Sequence, residues 1–197
     1  QAVSRGLGDV YKRQVLTITH QGYIKRTALN TYRTQRRGGR GVQGAMSKEE
    51  DFVEHLFIAN THNYMLFFTD QGKCYWLKVY DIPQGGRAAR GRAIVNLIGC
   101  DPGEKIEAFV SVKEFDDNHY IAMATRNGIV KKTVLSAYGK PRKGGIYAIE
   151  IRDGDKLIEA RVTNGEHDIL LGTSEGKSIR FSENNIRASG RKTMGVK

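Results

Sequence analysis

The chain has 197 residues, with 32 Lys and Arg against 21 Asp and Glu, which gives a formal net charge of +11. A balance this basic favours a polyanionic partner, and nucleic acid is the first candidate. Cys74 and Cys100 are the only cysteines and form no Cys-x-x-Cys pattern, which argues against a disulfide framework or a zinc site and suits a reducing cytosol. No apolar run approaches the roughly 18 residues of a membrane span, and no secretory signal is visible.

The first fourteen residues differ from the rest of the chain. They lack the alternation of apolar and polar side chains that starts at Val15, and they are similar to translated adapter sequence. We therefore expect residues 1–14 to be a non-native leader outside the fold, and residues 15–197 to form a single domain.

A pattern of an apolar strand, Thr-x-x-Gly and a second strand occurs four times. Its glycines are Gly22, Gly72, Gly128 and Gly176, and successive ones are 50, 56 and 48 residues apart. Glycine readily adopts the positive φ that a tight hairpin needs. The pattern therefore predicts four equivalent hairpin turns.

A third strand is predicted before each of the last three hairpins, at residues 52–58, 106–112 and 157–162. Three or four short strands in a unit of about 50 residues are typical of a propeller blade. We therefore predict an all-β, propeller-like fold of about four blades, some of them incomplete. The repeat units lie near residues 15–50, 51–100, 101–150 and 151–197. Because the fourth unit stops before a complete blade, we expect a fragment of a larger domain.

Basic charge follows the same period along the chain. Four windows contain no acidic residue, namely 15–48, 82–100, 118–149 and 184–197. Each window holds a segment rich in glycine and basic residues, at 35–41, 84–92, 139–145 and 187–195. Because equivalent positions of successive blades recur around a propeller, this pattern predicts a basic band on its rim.

One of these segments, residues 35–41, reads Gln-Arg-Arg-Gly-Gly-Arg-Gly. It resembles the Gln-Arg-Arg-Gly-Gly-Lys-Gly box of the C-terminal DNA-wrapping domain of bacterial DNA gyrase A, and it departs from that box only at Arg40. The resemblance extends from about Val15 to Lys197. It implies part of a six-bladed β-pinwheel whose blades exchange strands, and whose basic rim bends duplex DNA to direct ATP-dependent negative supercoiling.

The box and the basic windows together supply the predicted DNA-binding residues. These are Lys25, Arg26, Gln35, Arg36, Arg37, Gly38, Gly39, Arg40, Gly41, Arg87, Arg90, Arg92, Lys131, Lys132, Arg142, Lys143, Arg180, Arg191 and Lys192. Arginine and lysine contact phosphate oxygens, and glycine lets a backbone approach a ligand closely.

No catalytic residue, metal site or cofactor site is predicted in this chain. It has no phosphate-binding Gly-x-x-x-x-Gly-Lys-Ser/Thr motif, and its five histidines match no metal spacing. By the resemblance, ATP and Mg²⁺ would act on other domains or subunits. The partners would be double-stranded DNA, the remainder of gyrase A, and gyrase B in an A2B2 enzyme, in the cytoplasm at the nucleoid and not at a membrane.

Two alternatives remain open at this point. The first is the C-terminal domain of the topoisomerase IV protein that corresponds to gyrase A, which shares the repeat but typically has a degenerate box. The second is a propeller that serves as a protein-interaction module, with no role for DNA.

Overall fold

The computed structural model describes residues 12–32 and 51–197, and nearly all of its regular structure is short antiparallel strands. In chain order the described strands are β1 (Arg13–Thr19), β2 (Tyr23–Ala28), β3 (Val53–Asn60), β4 (Tyr64–Thr69), β5 (Lys73–Lys78), β6 (Arg92–Ala93), β7 (Ile106–Val112), β8 (Tyr120–Thr125), β9 (Val130–Val134), β10 (Ile146–Tyr147), β11 (Leu157–Thr163), β12 (Asp168–Gly172) and β13 (Ser178–Ser182). The prediction of an all-β fold is confirmed.

Helical structure in the described residues is limited to single turns. One five-residue helix, α1 (Ile94–Ile98), ends at Gly99 in the left-handed conformation. Short 3-10 turns follow each hairpin, at Leu29–Thr31, Val79–Asp81, Leu135–Tyr138 and Glu183–Asn185. Their regular recurrence gives each repeat the same change of direction after its second strand.

The four predicted hairpins are present, and the Thr-x-x-Gly motif explains each turn. Gly22, Gly72, Gly128 and Gly176 have φ values of 78°, 80°, 81° and 78°. In the first turn the Gly22 amide donates to the carbonyl of Thr19 (2.8 Å), and the Tyr23 amide donates to the Thr19 hydroxyl (3.2 Å). The same pair of bonds recurs in the other three turns. The threonine thus satisfies two turn amides that would otherwise lack a partner.

The sequence places each third strand before a hairpin and suggests that it joins that hairpin's sheet. In the structure it joins the sheet of the preceding hairpin. Strand β3 pairs with β1, β7 lies beside β4, and β11 pairs with β8. Each third strand therefore completes the sheet of the hairpin before it, and not the sheet of the hairpin that follows. This is the strand exchange that the resemblance implies. The reason is physical: each hairpin leaves one edge of unpaired backbone groups, and the next extended segment of the chain covers it.

Strand β1 also corrects the expected boundary of the leader. Arg13 and Gln14, which the sequence places in the leader, are the first two residues of β1, and they pair with Asn60 and Ala59 of β3. Gln14 is buried. The fold therefore includes at least these two residues of the segment that we expected to lie outside it.

The chain divides into two compact units, each with its own core. The first contains the described residues up to Met65, with Trp76–Cys100 and Ser111–Lys113, and its sheet has the order β3-β1-β2-β6. Leu16, Ile18 and Ile24 are fully buried in it. The second contains Leu66–Tyr75, Asp101–Val110 and Glu114–Lys197, with a core that includes Phe67, Phe68, Ile121, Met123 and Tyr138.

Candidate nucleic-acid interface

In the first unit, residues 84–92 form a Gly/Arg loop that is anchored to β2 at both ends. Gln84 forms a parallel bridge with Arg26, and Arg92 pairs with Ile24 in antiparallel fashion. The Gly85 amide donates to the carbonyl of Arg26 (3.0 Å). The loop therefore leaves the strand and returns to it within nine residues.

In the second unit, residues 188–196 form a Gly/Arg loop of the same construction on β9. Ala188 forms a parallel bridge with Lys132, and Val196 forms an antiparallel bridge with Val130. The Ser189 amide donates to the carbonyl of Lys132 (2.8 Å). Both loops have nine residues and are anchored at equivalent positions of β2 and β9, so their residues correspond one to one.

A glycine closes each of these loops where a side chain would not fit. Gly91 has a φ of 92° and Gly195 a φ of 97°. A Cβ atom would lie 2.4 Å from the carbonyl oxygen of Ile24 at Gly91, and 2.5 Å from that of Val130 at Gly195. These positions need glycine both for the left-handed backbone and for the close approach.

A third loop, residues 139–145, lies in the second unit, and the chain returns from it to β5 at Ile146, which pairs with Cys74. Gly145 closes it with a φ of 76°, and a Cβ there would lie 2.9 Å from the ring of Tyr75. Tyr75 is buried, and its hydroxyl donates to Glu104 (2.7 Å). An aromatic ring therefore supports this loop.

These loops and the residues that flank them carry exposed cations. Arg87, Arg92, Lys140, Arg142, Lys143, Arg187, Lys192 and Lys197 are all exposed. Within the described part of the chain none of them forms an ion pair with a carboxylate. Their positive charge therefore stays on the surface of the loops.

Three other predicted DNA-binding residues are buried. Lys25, Lys131 and Lys132 are 1%, 0% and 5% exposed. Burial lowers the pKa of Lys25, and burial together with the nearby charge of Arg191 lowers the pKa of Lys131 to about 8. Because these ammonium groups lie inside the protein and donate to it, the prediction that they contact DNA does not fit the structure.

Lys132 and Arg26 occupy equivalent places and hold the turn that precedes each loop. The Lys132 ammonium donates to the backbone carbonyl of Glu183 (2.9 Å) and lies 3.5 Å from its carboxylate. The half-buried Arg26 donates through Nε to the carbonyl of Ile82 (2.7 Å). Although burial alone would raise the pKa of Glu183, bonds from the His167 amide, Thr163 and Lys132 hold it below its usual value.

Two further arginines have partners of their own. The guanidinium of Arg90 lies 3.7 Å from the ring centroid of Tyr23 and donates to Gln21 (2.8 Å). Arg180 forms an ion pair with Asp168, with Nε 2.8 Å from the carboxylate. Arg180 is therefore partly neutralised, whereas Arg90 is oriented by a ring and an amide and keeps its charge.

The second unit also brings together residues that are distant in the sequence. Arg191 donates to the carbonyl of Tyr147 (3.3 Å), and the Lys192 ammonium lies 5.8 Å from the Tyr147 ring centroid. Tyr147 is 51% exposed. This tyrosine is not among the residues predicted from the sequence. It lies two residues after the Gly144-Gly145 pair that ends a basic segment, and this position is the signal that could have identified it.

The remaining predicted residues are those of the box. Gln35, Arg36, Arg37, Gly38, Gly39, Arg40 and Gly41 lie outside the described residues.

In the part that is described, no group of three or more His, Cys, Asp or Glu is arranged to hold a metal ion. No helix between residues 12 and 32 or 51 and 197 is long and apolar enough to cross a membrane.

Comparison with known families gives a match over most of the chain. The model of the DNA gyrase C-terminal domain, beta-propeller, matches residues 13–60, 63–113, 119–164 and 167–197. The DNA gyrase A protein of Clostridium acetobutylicum is 51% identical over 183 residues, which are 93% of this chain and 22% of that protein. The DNA gyrase A protein of Escherichia coli K12 is 46% identical over 183 residues, which are 93% of this chain and 21% of that protein. The chain thus spans about a fifth of the length of these relatives.

Solved structures of related domains share the fold. The C-terminal domain of DNA topoisomerase IV matches with a TM-score of 0.80 and 30% identity, over 95% of this chain and 57% of that one. A DNA gyrase A C-terminal domain matches with a TM-score of 0.72 and 23% identity, over 94% of this chain and 59% of that one. The matching family model describes a beta-propeller, and the propeller prediction is confirmed.

Proposed function

The chain belongs to the DNA gyrase C-terminal domain family, and we propose that it binds duplex DNA and wraps it as part of a gyrase A protein. The observation that carries the proposal is the set of repeated Gly/Arg loops whose outward cations have no carboxylate partner within the described residues. Cations held on short anchored loops suit a backbone of regularly spaced phosphates.

Wrapping by such loops is energetically reasonable. Bending roughly 20–30 base pairs by 40–90° costs of order 1–6 kcal/mol. Release of condensed counterions by phosphate contacts can offset that cost, and it requires many basic residues but no reading of base edges. We therefore propose binding that is largely independent of sequence.

Gyrase is favoured over topoisomerase IV by sequence and not by fold. The topoisomerase IV domain has the higher TM-score of the two structures, 0.80 against 0.72. However, the gyrase A relatives reach 46–51% identity, and residues 35–41 keep six of the seven box positions. A role as a protein-interaction module alone would leave the loop cations without a function.

The wider assembly follows from the same proposal. The partners would be double-stranded DNA, the remainder of gyrase A, and gyrase B, in the cytoplasm at the nucleoid. ATP and Mg²⁺ would act elsewhere in that enzyme, and this chain would contribute the path of the DNA and no catalytic group.

A salt titration of DNA binding tests the proposal. Filter binding of the chain to unrelated duplexes should show affinity that falls steeply with salt, by a log–log slope of about −0.9 for each phosphate contacted. A loop variant should flatten this slope for every duplex alike; its substitutions are Arg87→Ala, Arg92→Ala, Arg142→Ala and Lys143→Ala.

A control variant with the same loss of charge should leave the slope near that of the wild type. Its substitutions are at exposed positions away from the loops, namely Lys105→Ala, Lys113→Ala, Arg161→Ala and Lys177→Ala. Equal slopes for the two variants would mean that the salt dependence of DNA binding follows net charge and not the position of the cations on the loops. A strong preference for one sequence would contradict backbone-directed binding.

A further inference from the structure

The buried Lys25 lies at the centre of the loop formed by residues 84–92. Its ammonium group donates to the backbone carbonyls of Gly86 (3.0 Å) and Arg87 (2.6 Å). The aliphatic part of the side chain packs beside Gly85 and Gly91. The loop is therefore folded around one lysine.

Lys131 has the same relation to the loop formed by residues 188–196. Its ammonium donates to the carbonyl of Arg191, and to that of Ala148 at 2.6 Å. Arg87 and Arg191 are each the fourth residue of their nine-residue loop. In each unit, therefore, the carbonyl of the arginine at the fourth loop position accepts a hydrogen bond from an equivalent buried lysine.

This arrangement has a physical cause. A buried ammonium group is costly unless its N–H donors are satisfied, and carbonyls that point into a tight loop need donors. Lys25 satisfies the carbonyl of Arg87 and shares that of Gly86 with the Ala89 amide, and Lys131 satisfies the carbonyl of Arg191. In return, each bond fixes the backbone of an arginine, while the Arg87 side chain remains exposed.

We propose that Lys25 and Lys131 are positioning residues for DNA binding: each organises its Gly/Arg loop from the inside and fixes the backbone from which Arg87 or Arg191 reaches a phosphate. The proposal rests on the proposed function for its DNA part. The lysines contact no DNA themselves. In the loop closed by Gly145, Tyr75 occupies the position equivalent to that of Lys25 and Lys131. Its ring packs beside Gly145, and its hydroxyl donates to Glu104 and not to a loop carbonyl.

Hydrogen exchange of the DNA-free full chain tests this role without reference to DNA. Lys25→Met keeps the length of the side chain and removes its donors, so amide exchange in residues 84–92 should accelerate about tenfold or more, while the β1–β2 hairpin keeps its protection. Lys131→Met should do the same to residues 188–196 alone. Each variant is the other's control, and Lys113→Met removes the same charge from an exposed position.

DNA binding supplies the second readout. Lys25→Met should weaken binding, yet leave the log–log salt slope equal to that of Lys113→Met, because the lysine itself makes no contact with a phosphate. Arg87→Ala should flatten the slope and leave loop exchange unchanged. If Lys25→Met does not fold, Lys25→Gln, which keeps an N–H donor, should give an intermediate rate of exchange.

Two results would overturn the inference. One is unchanged exchange in the loop of either methionine variant. The other is exchange that rises equally in loop and hairpin, which would make the lysine a general stabilising residue. If the wild-type chain fails to bind DNA, the proposed function fails, and the exchange data still decide whether the lysines organise the loops.

Discussion

Lys25 and Arg87 lie on opposite sides of one loop and serve it in different ways. The ammonium of Lys25 is buried and donates to the carbonyl of Arg87 at 2.6 Å. The guanidinium of Arg87 is exposed and has no carboxylate partner in the described residues. The difference shows that the cations around one loop fall into two classes, an inner class that builds the loop and an outer class that stays on its surface.

The same contrast separates the inner and outer cations of the second unit. Lys131 and Lys132 lie inside and donate to backbone carbonyls, whereas Arg142, Lys143 and Lys192 lie outside. Net charge alone therefore overstates the charge that DNA can reach. Variants that remove inner or outer cations separately should show whether the two classes differ in their effects on stability and on DNA binding.

The largest effect is expected at the box, whose three arginines we propose to contact DNA. Replacing Arg36, Arg37 and Arg40 by alanine in a complete enzyme should abolish DNA wrapping and negative supercoiling. Relaxation and cleavage should survive, because they belong to other domains in the proposed assembly. Supercoiling and relaxation assays run side by side provide the measurement.

Each other outcome of that assay has a definite meaning. Supercoiling at the wild-type rate would remove the main support for a gyrase-specific role of the box. Loss of both activities together would mean that these arginines are needed for folding and not for contact with DNA.

The glycines that close the loops should have the next largest effect. Gly91→Ala places a Cβ 2.4 Å from the Ile24 carbonyl in a left-handed backbone, so it should cost about 3 kcal/mol of unfolding free energy. Gly22→Ala is the matched control, because its φ is 78° but nothing lies within 4 Å, and it should cost about 1 kcal/mol. Urea denaturation measures both, and equal costs would mean that the loop is not seated on β2.

The pH dependence of stability should reveal the inner class directly. Burial lowers the pKa of Lys131 to about 8, so between pH 8 and its ordinary pKa of 10.5 the native state binds fewer protons than the unfolded state. Stability contributed by this group therefore rises with pH across that window. The wild type should gain roughly 2 kcal/mol relative to Lys131→Met between pH 7.5 and 10. A flat difference would mean that the ammonium is solvated, and a difference that falls would mean that the native state raises the pKa of Lys131; either would contradict its burial.

The smallest effect is expected for Arg40→Lys. It keeps the charge and restores the residue that the gyrase box usually has, so supercoiling should change less than about twofold. A large loss would show that the planar arginine fork makes a specific contact in this chain.

The hairpins were predictable from the sequence because the interactions that form them are local. The carbonyl and hydroxyl of Thr19 satisfy the amides of Gly22 and Tyr23, and all of these residues lie within one motif. Strand exchange was not predictable from the residues, since β1 and β3 come from separate repeats. Only the resemblance implied it.

The inner cations were missed for a related reason. The sequence shows that Lys25 is basic, but its carbonyl partners lie 61 and 62 residues further along the chain. In β9 every residue from Val130 to Thr133 is buried, so alternation could not show which face points outward. The exposed loop cations were predictable because a glycine-rich segment without acids offers them no partner.

The salt dependence of DNA binding by two double variants tests the central claim most directly. Lys25→Met with Lys131→Met removes two inner cations, and Arg87→Ala with Arg92→Ala removes two outer ones, so the net charge is equal. The outer variant should flatten the log–log slope by about 0.9 for each phosphate that is no longer bound, and the inner variant should weaken binding without flattening it. Equal flattening by both variants would contradict the account.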